Sequence, residues 1–185
     1  PEPGAVRVSQ RDRWRSLLNS RLARACGAAF AFNFSAAGVI LLIALLGGDR
    51  FGLGPSGRGM VVAMLGAAGL ITAPQLGHLV DRFGVRRVGL VAFVLLATVT
   101  LLTGLAETVW GLVVAALLAG AATTGSRIVV NNLAVTSTPA NPDGATSMSM
   151  SWMFLGSAVA PLLCIPAYGA GAMVGFAVTA VGAAL

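Results

Sequence analysis

Few residues of this sequence can do chemistry, and those few are scattered along the chain. The sequence has one histidine, two cysteines and six acidic residues, and none of these form a group with catalytic or metal-ligand spacing. A glycine-rich phosphate loop, which a nucleotide-driven pump would need, is also missing. We therefore predict that the chain is not an enzyme and that it binds no metal and no cofactor.

One charged residue, Arg127, stands apart because it lies inside a long apolar stretch, about 9 Å from the centre of that stretch if it is helical. A guanidinium at such a depth in a membrane costs roughly 2.5 kcal/mol or more. Spacings of three and four residues put it on one helix face with Thr123, Thr124 and Asn131. We expect this face to look into a helix bundle. The alternative is that the side chain snorkels to the surface or binds carbonyls at a helix end.

The composition requires a lipid environment for most of the chain. Hydrophobic residues make up 57% of the sequence and charged residues only 10%, whereas soluble domains carry about 25% charged residues. The net charge of +6 could suggest nucleic acid, but the arginines flank apolar runs instead of forming a basic patch on a soluble surface. The predicted partner is the lipid bilayer and not nucleic acid. Cys26 and Cys164 lie in apolar runs and should be reduced core residues.

Six apolar stretches reach or approach the roughly 20 residues that a helix needs to cross a bilayer. Segments with turn chemistry separate them, such as the glycine-rich Gly47–Arg58 and the Asn-Pro-Asp-Gly within Pro139–Gly144. We predict an all-α integral membrane domain over residues 25–185, after a basic segment over residues 1–24. The predicted spans are Ala25–Gly47, Gly59–Val80, Val88–Ala106, Thr108–Val135, Ala145–Ile165 and Gly169–Leu185.

The arginines predict how these spans are oriented. If the N-terminus is cytoplasmic, nine arginines lie on the cytoplasmic side and only Arg50 and Arg58 lie outside, which is a strong positive-inside bias. Both ends of the chain are then cytoplasmic, in a multi-pass protein of the plasma membrane. The segment Arg11–Leu18 is either a basic arm or a helix along the inner membrane surface. The nine arginines are Arg7, Arg11, Arg13, Arg15, Arg21, Arg24, Arg82, Arg86 and Arg87.

The most specific pattern, Gly77–Arg87, lies between the second and third spans. It resembles the loop signature of the major facilitator superfamily: Gly, three residues, Asp, a basic residue, any residue, Gly, any residue and two basic residues. The resemblance implies one six-helix half of a secondary active transporter that moves a small molecule by alternating access, and we interpret it as an efflux permease. Every fixed position matches, at Gly77, Asp81, Arg82, Gly84, Arg86 and Arg87.

By resemblance, this loop latches the two halves of the transporter together on the cytoplasmic side. Gly77 would let two helices approach closely, and Asp81 would meet a helix N-terminus and a guanidinium across the interface. Gly84 would permit the turn, and the three arginines would hold the loop at the anionic inner leaflet. The alternative is that the loop is only a basic topology anchor. His78 occupies a variable position and should be a passive interfacial residue.

Polar residues repeat with a period of three spans. The first, second, fourth and fifth spans carry several kinds of polar side chain, whereas the third and sixth carry only threonines. Three spans per unit make the second unit enter the membrane from the opposite side, as in the 3+3 inverted repeat of these transporters. We find no convincing residue-level identity between the two triplets, so polarity alone supports the repeat at this stage.

The fifth span carries a weaker motif from Gly156 to Pro161, which resembles the Gly, three residues, Gly-Pro signature of antiporters with Ala160 as the second glycine. Proline removes a backbone hydrogen bond and bends a helix, so we predict a kink here. Family members often have Arg-Gly before this span, whereas Asp143 precedes the glycine here and leaves this side of the latch incomplete. Asn141–Asp143 should begin a helix, with a side-chain cap and an early proline.

Two assignments to a half compete. The complete loop signature is usual in the first half of the family. The missing initiator Met, a first span without the acidic and Asn-rich pattern of drug antiporters, and the resemblance of Arg11–Arg24 to the central loop all favour the second half. We assign the chain to the C-terminal half, in which residues 1–24 are a cytoplasmic lead or the linker between the halves.

The resemblance also implies a central cavity that the two halves share. There Arg127 would hold an anionic group of the substrate or pair with an acid of the other half. Because no acidic residue lies within a span, a coupled proton would titrate in the other half. A channel or a structural membrane subunit is the alternative, and the loop signature is what favours a carrier. The candidate cavity residues are Asn33, Gln75, Thr123, Thr124, Arg127 and Asn131.

A run of large apolar residues in the fifth span has two interpretations. The methionines, with two aromatic neighbours, would make a pliable lining of the kind that binds varied hydrophobic drugs, or they are ordinary core filler. The residues are Met148, Met150, Trp152, Met153 and Phe154.

Overall fold

A computed structural model of the chain describes residue 17 and residues 19–184. Six helices make up nearly all of the described range. The first five are long and apolar enough to cross a membrane, as predicted, and the last has 13 residues. The interpretation of residues 11–18 as an arm or a surface helix falls outside the described residues, apart from Leu17. The helices are α1 (Ser20–Asp49), α2 (Pro55–Phe83), α3 (Val85–Gly104), α4 (Val109–Ser137), α5 (Pro142–Ala170) and α6 (Ala172–Ala184).

Helices α1, α2 and α5 extend beyond the predicted spans at both ends, and side-chain caps begin α1 and α5. The Asn19 side chain accepts a hydrogen bond from the Leu22 amide at 2.6 Å and begins α1. The Asn141 side chain accepts one from the Gly144 amide at 3.1 Å, and Pro142 and Asp143 occupy the first turn of α5. The predicted helix start at Asn141–Asp143 is therefore confirmed.

Helix α5 is longer at its other end than the sequence indicated. It passes through Pro161 and Pro166 as one helix and ends at Ala170, whereas the predicted end was Ile165. A proline removes one backbone hydrogen bond, and neighbouring helices in a membrane bundle tolerate that loss. The next helix therefore begins at Ala172, three residues later than predicted.

The packing of the six helices confirms the 3+3 repeat. Helix α1 packs most extensively against α5, and α2 packs most extensively against α4. Helix α3 packs on α4, as α6 packs on α1. These contacts are equivalent in pairs when α1 is matched with α4, α2 with α5 and α3 with α6. The α1–α5 contact then corresponds to the α4–α2 contact, and the α3–α4 contact corresponds to the α6–α1 contact. The two triplets run in opposite directions, because α1 and α4 enter the bundle from opposite ends.

Glycines lie at the centres of both main helix crossings. Gly156 is the middle residue of α5, and a Cβ atom there would collide with the backbone of Phe30 and Phe34 in α1. Gly69 is the middle residue of α2, and it lies against Gly120 and Thr124 of α4. Small residues at such positions let two helix backbones approach closely, and close packing drives helix association in membranes.

These two glycines reveal a sequence repeat that the polarity pattern did not. Gly69 to Pro74 and Gly156 to Pro161 both read Gly, three residues, Ala, Pro. Each motif begins at the middle of its helix, in α2 and α5 respectively. Sequence comparison alone had not revealed this short match, because such a motif is hard to recognise until both copies are seen at equivalent crossings.

The core lies between α1, α4 and α6, and lipid-compatible surface surrounds it. Phe32, Leu42 and Phe176 are fully buried, while α3 exposes apolar side chains such as Leu90 and Val91. The Ser35 hydroxyl donates to the Thr179 carbonyl at 2.8 Å and joins α1 to α6. Both cysteines are free and buried, as predicted.

Replacing Gly156 by Leu in the complete protein should lower its thermal stability, because the new side chain must separate α5 from the α1 backbone. Overpacking of this kind costs about 1–3 kcal/mol or more. Gly27→Leu is the matched control, since a Cβ atom at Gly27 in α1 would meet no atom within 4 Å. The measurement is the unfolding midpoint of the purified protein in detergent. Equal midpoints for the two variants would contradict the close crossing.

Candidate functional site

A cleft opens between α1, α4 and α5 near the middle of the bundle. Its volume is about 390 Å³. One part of its wall is polar and the other consists of large apolar side chains from α5. We call it the central cleft. It is lined by Asn33, Ala36, Ala37, Ile40, Arg127, Asn131, Met150, Met153, Phe154 and Ser157.

Asn33 joins two walls of the central cleft. Its side-chain nitrogen donates to the Met153 carbonyl at 2.6 Å and to the Ser157 hydroxyl. These bonds sit next to the close crossing at Gly156, so the crossing fixes the amide in place. Because the nitrogen already donates to α5, the remaining hydrogen-bonding group of the Asn33 side chain is its oxygen, which can only accept.

Arg127 lies closer to the middle of its helix than the sequence indicated. It is four residues from Thr123, the middle of α4, which is about 6 Å along the helix. Its guanidinium carbon lies 5.9 Å from the centre of the Phe32 ring in α1. The side chain thus turns toward α1 and the central cleft and remains exposed there. Among the described residues, Arg127 has no acidic partner within salt-bridge distance.

The structure brings three of the six candidate cavity residues together. Asn33, Arg127 and Asn131 line the central cleft, while the other three lie outside its lining. The Gln75 side chain is exposed on α2, where it can bond carbonyls of its own helix. The Thr123 hydroxyl donates to the Ala119 carbonyl at 2.8 Å. The last of the six, Thr124, packs at the crossing of α4 with α2.

The apolar wall of the central cleft comes from the methionine-rich run in α5. Met150, Met153 and Phe154 line the cleft, whereas Met148 and Trp152 do not. Sequence reasoning did not place Ser157 in the cleft, nor Phe32 under the guanidinium. The only available signal for Ser157 was its place directly after the glycine of the Gly156 motif.

The loop motif forms a tight corner between α2 and α3. Gly84 is the single residue between the two helices, and it adopts φ +83° and ψ 150°, a region that is essentially restricted to glycine. Next to it, the Arg82 guanidinium lies 5.4 Å from the Phe83 ring centre. Sequence alone assigned the turn to Gly84, and the backbone turns there.

The other motif residues make few contacts within the described part of the chain. Asp81, Arg82, Arg86 and Arg87 are exposed, and the described residues offer Asp81 no salt bridge. A Cβ atom at Gly77 would meet no atom within 4 Å. The close helix approach expected at Gly77 is therefore not made inside this bundle, and any such contact must involve another part of the protein.

Charge is distributed unequally between the two ends of the bundle. One end holds Asp81 and Asp143 with five exposed arginines, and we call it the basic end. The other end holds Asp49 and Glu107 with two arginines. The five arginines of the basic end are Arg21, Arg24, Arg82, Arg86 and Arg87; those of the opposite end are Arg50 and Arg58.

Comparison with known proteins agrees with the helix arrangement. The family model of the Major Facilitator Superfamily matches residues 25–185. A protein of Streptomyces coelicolor described as a probable transporter is 35% identical over 168 residues, which cover 90% of this chain. The chain spans only 37% of the length of that relative.

Proposed function

Because the chain belongs to the major facilitator superfamily, we propose that it forms one half of a secondary transporter that exports a small molecule by alternating access. Its membership makes it part of a multi-pass membrane protein of the transporter type. The observation that carries the proposal is the polar face of α4, where Arg127 and Asn131 are exposed in the central cleft. Transport, and not catalysis, is the activity that this family suggests.

A second six-helix half should cover that polar face. Charged side chains in membrane helices face a bundle interior or a water-filled cavity, because exposure to lipid is costly. Arg127 is exposed among the described helices, and we infer that the other half covers it. We assign this chain to the C-terminal half, on the evidence of its basic lead segment and its first span.

The apolar wall of the central cleft supports export of compounds with a hydrophobic body. Met150 and Met153 have flexible, polarizable side chains that adapt to varied shapes, and the motif from Gly156 to Pro161 resembles that of antiporters. All six acidic residues of the sequence lie near helix ends, in connecting segments or in residues 1–16. A coupled proton would therefore be carried by the other half.

We place the protein in the plasma membrane with its basic end facing the cytoplasm, since Arg and Lys favour that side. A membrane-impermeant maleimide applied to intact cells should label a cysteine placed at Ser56 and should not label one placed at Val85. Ser56 lies in the first turn of α2 and Val85 in the first turn of α3. The protein without an introduced cysteine gives the background labelling. Permeabilised cells are the control that tests whether both positions can react. Labelling of Val85 alone in intact cells would reverse the orientation.

The exposed loop motif should act as a latch against the other half. Replacing Asp81 by Asn, or Gly77 by Leu, should abolish most export of fluorescent amphipathic dyes from cells while leaving the amount of inserted protein unchanged. The Asn variant removes the charge needed at a helix N-terminus, and the Leu variant blocks a close approach. Glu107→Gln is the matched control, because Glu107 is an exposed acid at the opposite end. Full export by both motif variants would leave the loop as a topology anchor only.

A further inference from the structure

We propose that the central cleft binds an amphipathic organic anion, with Arg127 holding an oxyanion group and the wall of Met150, Met153 and Phe154 covering the apolar body. This inference rests on the proposed function and adds the chemical class of the substrate. It depends on three features of the cleft: an uncompensated cation, a fixed polar wall and an apolar wall opposite to it.

Within the described part of the chain, no acidic side chain neutralises the cation in the cleft. Arginine stays charged at all physiological pH values, and the Arg127 side chain faces the cleft. The four acidic residues within the described range all lie near helix ends or in connecting segments, at Asp49, Asp81, Glu107 and Asp143. None of them forms a salt bridge with Arg127. The Phe32 ring at 5.9 Å orients the guanidinium, but a ring face offers only part of the stabilisation of a full negative charge.

The polar groups around Arg127 suit an oxyanion. A guanidinium presents a planar fork of donors that matches a carboxylate or a phosphate. The exposed amide of Asn131 follows one helical turn later on the same face of α4. Across the cleft, the Asn33 nitrogen already donates to Met153 and Ser157 of α5, so Asn33 is a fixed part of the wall and the donors for the oxyanion are those of α4. The Asn33 and Ser157 side chains are therefore fixed before a ligand binds, which reduces the entropy lost on binding.

The opposite wall selects against a small inorganic anion. Met150, Met153 and Phe154 line the same cleft, and an inorganic ion would leave them without a partner. A ligand with an aromatic or aliphatic body covers them and places its charged end at Arg127. This division of polar and apolar walls is what distinguishes an organic anion from phosphate or chloride.

The test uses the purified complete protein and four naphthyl probes with the same apolar body. These probes are 2-naphthoate, 2-naphthyl phosphate, the neutral 2-naphthylmethanol and the cationic (2-naphthylmethyl)trimethylammonium. The wild type should bind one or both anions roughly tenfold or more tightly than the neutral probe, which is the effect of a charge-assisted hydrogen bond. The ratio of the two anions identifies the preferred oxyanion.

Variants of Arg127 then assign the preference to this side chain. Arg127→Gln should bind anions no better than the neutral probe, and Arg127→Lys should keep part of the preference because it retains the charge without the fork. Arg50→Gln is the control, since Arg50 is exposed at the end of α1. If the Gln variant does not fold, the loss measured for the Lys variant decides the question.

Several results would overturn the inference. They are the absence of binding of any probe to the wild type, equal affinity for anionic and neutral probes, and an anion preference that survives in Arg127→Gln. Equal affinity is also the result expected if an acid of the other half neutralises Arg127. Failure of the proposed function looks different: anions bind selectively, but proteoliposomes containing the protein do not take them up.

Discussion

The bundle depends on two close helix crossings, each with a glycine in the middle of one helix. Gly156 in the middle of α5 meets the backbone of α1, and Gly69 in the middle of α2 meets α4. In a membrane the lipid is as apolar as the helix surfaces, so close packing and hydrogen bonds must hold helices together. Because each glycine is the middle residue of its helix, the two backbones come closest halfway along that helix. The remaining helices, α3 and α6, pack around these two pairs.

The same crossings position the polar groups of the central cleft. Next to Gly156, Asn33 reaches across from α1 and donates to Met153 and Ser157 in α5, which it could do only at a short interhelical distance. On the other pair, Gly120 and Thr124 of α4 contact α2, whereas Arg127 and Asn131, further along α4, line the cleft. Close packing at glycine thus holds the helices together and also separates the polar face of the cleft from the lipid-compatible surfaces. The loop motif at the basic end is exposed, as the proposed latch requires.

Much of this architecture could be predicted from the sequence, and the limits have physical causes. Apolar length predicted the number of helices, and the cap at Asn141 predicted a helix start, because both signals are local. The extension of α2 past Asp81 to Phe83 and the continuation of α5 through Pro166 to Ala170 depend on neighbouring helices and were missed. Spacing placed Arg127 and Asn131 on one face, but which candidates share a cleft depends on how helices cross. For that reason Gln75 could not be separated from Asn33 by sequence alone.

The proposed transport function requires the polar face of α4 to border a water-filled cavity while the apolar surface of the same helix faces lipid. The most direct measurement is the reaction of single cysteines with a water-soluble maleimide in permeabilised membranes. Asn131→Cys and Val114→Cys are a matched pair, since they lie eight and nine residues from the middle of α4 and both native side chains are exposed. We expect rapid labelling at position 131 and little at position 114. Protection of both positions, or faster labelling at position 114, would contradict it.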